Sequence, residues 1–131
     1  MQNIFKRLSS VFSAKQLKNY IKVTIPIVIK TSGTLLELRV KPIEQGYSIV
    51  CPNNIFLEAN NQGDQEFYFN IFEKHDESYH YDINIKNGLF CKDYSNETNI
   101  VVAINEFIRF FILIDDFIID NGVIGQEEKF I

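Results

Sequence analysis

IVVAINEFIRFFILIDDFII, residues 100–119, places fifteen apolar side chains in twenty positions and interrupts them with Arg109, Asp115 and Asp116. Those charges fall where a bilayer would tolerate them least, so the stretch reads as a buried helix and not as a membrane span. Wound as a helix, it gathers Thr98, Asn105, Arg109, Asp116 and Asp120 on one narrow stripe, and apolar residues fill most of the remaining circumference. So much apolar surface needs contact on more than one side. A sheet of the same chain covers one side; the N-terminal helix, a second copy or a partner meets the other. The many β-branched residues lower helix propensity, which keeps a strand over part of 112–119 as the competing reading. Length and the single polar stripe favour a helix over 96–120, capped by Ser95, Asn96 or Thr98 and stopped by Asn121-Gly122, with a tail over 121–131.

Upstream, the apolar period changes. Ile4, Phe5, Leu8, Val11 and Phe12 recur at helical intervals, with Lys6, Arg7, Lys15 and Lys18 among the polar positions, which predicts an amphipathic N-terminal helix over 1–21, open to interruption near Ser13 with Leu17 and Ile21 in a further turn. Val23, Ile25, Ile27 and Ile29 then alternate as in a half-buried strand, and Pro26 predicts that this strand lies at a sheet edge. Further strands are expected over 35–40, 47–51, 55–58, 65–72 and 89–94, separated by turn-forming clusters. Tyr79, Tyr81, Ile83 and Ile85 share one face of a strand that Asn87-Gly88 turns back on itself. The expectation is one α+β domain: an antiparallel, meander-like sheet of five to seven strands over 22–94, flanked by the N-terminal amphipathic helix and the long apolar C-terminal helix.

At 131 residues, 46% hydrophobic and with twelve Phe, the chain has the material for one substantial core. Its formal charge of −4 conceals a segregation. Residues 1–41 hold eight Lys/Arg against Glu37, a net +7, and residues 42–131 hold five against sixteen Asp/Glu, a net −11. Such asymmetry points to an anionic partner for one end, a cationic partner for the other, or neutralisation within the fold or across a dimer. No secretory leader pattern opens the sequence and Cys51 and Cys91 have no scaffold or zinc spacing, so reduced core thiols and a cytoplasmic setting are expected.

Chemical motifs are few. His75 and His80 are the two imidazoles, and with Asp76, Asp82 and Cys91 they show no diagnostic metal spacing. Neither cysteine has a nearby base and oxyanion hole, no dinucleotide fingerprint or phosphate loop occurs, and Asp115-Asp116 and Glu127-Glu128 read as solvated acids. No catalytic, cofactor or metal residue is therefore assigned and no cofactor is expected. Arg109 is expected to pair with Glu106 at helical spacing. The aromatic set Phe67, Tyr68, Phe69, Phe72, Tyr79 and Tyr81 suits base stacking, but surrounding acids oppose phosphate, so direct nucleic-acid binding is not expected. The basic first helix keeps contact with an anionic membrane open, although such a helix more often docks on its own sheet.

YHYDINIKNGLFCKDYSNETNIVVAINEFIRFFILIDDFIIDN, residues 79–121, resembles the hairpin-then-apolar-helix ending of small proteins of low-GC bacteria and their phages. Proteins of that type include toxin-neutralising immunity proteins and phage inhibitors of host defence. The resemblance carries no functional residue across. Together these readings predict a non-enzymatic intracellular protein-binding module, a stoichiometric inhibitor or immunity protein whose acidic face meets a basic partner. A homodimeric adaptor or secretion-type chaperone, and a small hydrolase, are the alternatives. The candidate interface is Phe107, Phe110, Phe111, Ile114 and Phe117 with Arg109 and Asp116, the aromatics divided between the core and a second contact surface, as in a homodimer.

Overall fold

The structure, a computed structural model, describes residues 2–30, 32–53, 81–86 and 89–127. In chain order the elements are α1 (Gln2–Val11), β1 (Ser13–Gln16), β2 (Ile21–Val28), β3 (Leu35–Ile43), β4 (Gly46–Val50), β5 (Asn84–Lys86), β6 (Leu89–Ser95) and α2 (Ile100–Glu127). Six described strands form one antiparallel sheet in the order β1-β2-β3-β4-β6-β5. The arrangement is α+β. The first four strands meander, and β5 and β6 then pair so that β6 lies beside β4 and β5 is outermost among the described strands. Expected strands over 55–58 and 65–72, the residues Tyr79, His75 and His80, and the Asn87-Gly88 turn lie outside the described residues.

Period-two patterning explains the sheet's two faces. Ile21, Val23 and Ile25 of β2 pair with Val40, Leu38 and Leu36 of β3, and all six are buried. Ile49, Cys51, Phe90 and Tyr94 continue this face across β4 and β6. α2 packs on it, with Phe90 meeting Phe110 and Phe111 edge-to-face at centroid separations of 5.5 and 5.4 Å. α1 lies against both β1 and α2 and buries Leu8 completely.

Several expectations are corrected. The first helix ends at Val11, not near residue 21, and Ser13–Gln16 forms an edge strand in register with Ile21 to Thr24. Its short Ser-Ala-Lys-Gln sequence has one apolar inward residue, Ala14, so ladder hydrogen bonds to β2 outweigh the weak local signal. β2 is not an edge. Pro26 instead sits beyond the stretch paired with β1 and within the register shift between Ile25 and Val28, where its missing N–H interrupts neither regular ladder. Tyr81 to Ile83 are not strand, because Asp82 adopts a left-handed backbone with φ of 56°, yet Ile83 is still buried and Tyr81 meets Phe110 at 5.2 Å.

α2 spans 28 residues and is helical through 112–119. Its cap is Asn99, whose Oδ1 accepts the N–H groups of Val101 at 2.9 Å and Val102 at 3.4 Å; Ser95, Asn96 and Thr98 precede it. Asn121-Gly122 does not stop the helix, which continues to Glu127. These residues lower helix propensity by about 1 kcal/mol or less each, a cost that does not forbid helical backbone. No described helix is long and apolar enough to cross a membrane.

Candidate functional site

The aromatic interface expected on α2 is mostly core. Phe107, Phe110, Phe111 and Ile114 are each no more than 2% exposed within the single chain, and Phe117 is half-buried. Among the described residues the sheet and α1 both pack against the helix, and these four side chains are buried within the single chain. Arg109 is exposed, while Asp116 joins Lys30 Nζ at 2.6 Å. The expected site residues therefore divide between core, solvent and an intramolecular ion pair.

The adjacent acids also behave differently from solvated carboxylates. Asp115 is buried, and its Oδ2 accepts the backbone N–H of Lys30 at 2.7 Å. Lys30 thus engages both acids, by its backbone to Asp115 and by its ammonium to Asp116, and ties the end of the β2 segment to α2. Only the register of that segment against the helix brings these groups together, which the sequence does not display.

A second polar cluster lies between sheet and helix. Lys92 pairs with Ile49 in the β4–β6 ladder and so occupies the inward face between Phe90 and Tyr94. Its ammonium donates to the Tyr81 carbonyl and meets Glu106 Oε1 at 2.8 Å. Glu106 also accepts from the Tyr94 hydroxyl at 3.2 Å, in place of the expected pair with Arg109. Tyr94 stacks on Tyr47, with ring centroids 5.5 Å apart, and the Tyr47 hydroxyl donates to the Thr98 carbonyl at 2.9 Å. Burial first, and the Glu106 charge second, push the Tyr47 phenol up to about 12. Tyr94 moves in the same direction, through burial, the charge and hydrogen bond of Glu106, and Tyr47. Both phenols stay protonated and act as donors. These groups satisfy one another and fix α2 on the sheet.

The opposite sheet face carries the unexplained chemistry. Lys15 pairs with Lys22 across β1 and β2, and Lys22 pairs with Arg39 across β2 and β3. At ordinary strand spacing the three cationic positions form a row about 10 Å long. Lys41 lies two residues beyond Arg39 on the same face. Glu37 is the acid within this group, 2.9 Å from Arg39 Nε and 3.6 Å from Lys22 Nζ. The Arg39 guanidinium also lies 4.9 Å from the centre of the Tyr20 ring, which holds it in place. Like charges directly opposite one another destabilise a sheet. An edge lysine such as Lys15 has a use in blocking strand addition, but Lys22 and Arg39 stand on strands paired on both sides.

The remaining candidates are quiet. Cys51 and Cys91 are free and buried; Cys51 belongs to the core as expected, whereas Cys91 pairs with Val50 on the opposite sheet face and is not part of that core. Burial pushes the Cys51 thiol up to about 12 and raises Cys91 as well, which withdraws both from thiolate chemistry near neutral pH. Among the described residues no cluster of three His, Cys, Asp or Glu has a metal-binding arrangement. No family model, curated protein or solved structure matches the chain.

Proposed function

We propose that this protein is a non-enzymatic binding module that engages an acidic protein surface through the Lys15, Lys22, Arg39 and Lys41 side of β1, β2 and β3. The observation that carries the reading is the Lys15–Lys22–Arg39 row, three like charges in neighbouring register of which Glu37 offsets one, so that approaching anions relieve the remaining repulsion. A protein partner fits better than a nucleic-acid backbone because Glu37 stands inside the row, where a phosphate strand would meet it and a protein can oppose it with a cation. Use as a stoichiometric inhibitor or immunity protein is one role such a module fills.

The acidic face expected from the sequence has less support. Asp115, Asp116 and Glu106 are engaged internally, Glu44, Asp82, Asp93 and Glu97 are exposed but lie on separate elements and connections, and six acids between residues 58 and 77 fall outside the described residues.

Titration of isotopically labelled protein with poly-L-glutamate tests the proposal. Saturable amide shifts are expected at Lys15, Lys22, Arg39 and Lys41, weakening as salt rises. The double variant Lys22→Gln/Arg39→Gln should lose them while keeping its fold. Shifts centred elsewhere, or unaffected by that variant, refute the assignment. Tighter binding of a single-stranded oligonucleotide at the same residues replaces the protein partner with nucleic acid.

A further inference from the structure

Away from the sheet face, a cleft of about 280 Å³ opens where α1 meets the segment joining β6 to α2. Asn3 and Arg7, one helical turn apart on α1, line one wall, and Asn96 lines the other. Ile4 and Ile100 supply its apolar surface. Among the described residues Asn3, Arg7 and Asn96 form no side-chain hydrogen bond or ion pair. A guanidinium and two amides thus border one concavity with their bonding capacity unspent.

The wall opposite α1 is held in place. The Asn96 N–H donates to the Gln45 carbonyl at 3.2 Å, and the Thr98 carbonyl accepts from Tyr47, whose ring is locked against Tyr94. The first N–H groups of α2 are already occupied by Asn99, so recognition in this cleft belongs to side chains and not to the helix end. Pre-set walls lower the ordering cost of binding.

We infer that this cleft binds a compact oxyanion, the carboxylate or phosphate group of a small molecule, with Arg7 as its counter-ion and Asn3 and Asn96 as orienting amides. The planar guanidinium fork matches either group in two parallel hydrogen bonds. A volume near the lower end of the usual ligand range of about 300–1,000 Å³ restricts the occupant to something small. This inference is independent of the sheet-face proposal, because no residue is shared between the two sites.

The test is a titration of labelled full-length protein with inorganic phosphate and, separately, with succinate, at constant ionic strength. The expected result is saturable shifts at Asn3, Arg7, Asn96 and Thr98 with at least one probe, and the responding probe identifies the headgroup. Arg7→Gln should weaken binding at least ten-fold, whereas Lys6→Gln, which removes the same charge from an exposed neighbouring position, should leave it within two-fold. Circular dichroism of both variants should match the parent, since both side chains are exposed. Absence of saturable shifts at these residues with both probes, or equal losses in the two variants, overturns the inference.

Discussion

Replacing Glu106 by Leu should expose how much the ion pair between sheet and helix owes to mutual compensation. Lys92 and Glu106 side chains are 19% and 33% exposed, placing their pair between two regimes. Breaking a fully buried pair by removing one partner costs about 3–5 kcal/mol, because the surviving charge is stranded. A solvent-exposed pair is worth about 0.2–1 kcal/mol. The partial exposure sets the expected loss for Glu106→Leu at about 2 kcal/mol, which includes the acceptor taken from Tyr94. At about 2.1 cal/mol/K of unfolding entropy per residue, that loss lowers Tm by roughly 7 °C for this chain. Lys92→Met should destabilise comparably by stranding the carboxylate. Lys92→Met/Glu106→Leu removes both charges and fills the space with apolar atoms, so it should fall within about 1 kcal/mol of the parent. Urea unfolding followed by far-UV circular dichroism measures all four proteins. A double variant whose loss equals the sum of the single losses would refute the compensation argument.

Other consequences are equally direct. An added Cβ at Gly46 overlaps the Tyr94 carbonyl oxygen and lies 2.9 Å from the Ser95 backbone, so Gly46→Ala should cost more than about 3 kcal/mol by opening the β4–β6 ladder. Gly33→Ala meets open space and only its φ of 75°, a cost of about 1–2 kcal/mol; equal losses in the two variants' urea midpoints would contradict the close approach at Gly46. Asp115→Ala removes a charged acceptor from the Lys30 N–H and should cost about 1.5–3 kcal/mol, against about 1 or less for Asp116→Ala, again read by urea unfolding. Alkaline stability should hold up to pH 9. Cys51 and Tyr47 have native values near 12 against ordinary values of 9.0 and 10.0, so the folded state retains protons that the unfolded state releases, and stability falls as pH rises from 9 to 12. Cys51→Val should remove the part of that fall that begins at pH 9; an unchanged profile in pH-dependent unfolding would refute it.

The sheet is legible in the sequence wherever alternation is clean. Val23 and Ile25, Leu36 and Leu38, and Phe90 announce an apolar face by their spacing alone. β1 is hidden because four residues with a single inward alanine carry almost no periodic signal. Lys92 is hidden for a different reason: a lysine at an inward register position contradicts the hydrophobic pattern and is explained by Glu106, fourteen residues away, and the Tyr81 carbonyl. The basic row is legible as a surplus of cations in residues 1–41, but not as a row. Its members are separated by up to 24 residues in sequence and meet through two strand registers.

Those registers also redistribute the charge asymmetry. Within the described residues, the acidic half directs Asp115 and Asp116 to Lys30 and Glu106 to Lys92, where each contact joins the sheet or its connecting segment to α2. These carboxylates are engaged in holding the layers together. The basic half spends Lys30 in the same way but places Lys15, Lys22, Arg39 and Lys41 on the other side of the sheet, with Glu37 among them. A protein whose overall charge is negative therefore turns a locally positive face outward. Long-range approach of a partner follows the overall field, but selection at contact follows the local one once separation falls within a Debye length of about 8 Å. On the proposed reading, an acidic partner would gain attraction only after close approach to β1–β3, and rising salt should weaken its retention more than its encounter rate, the reverse of a complex steered by the whole protein's charge.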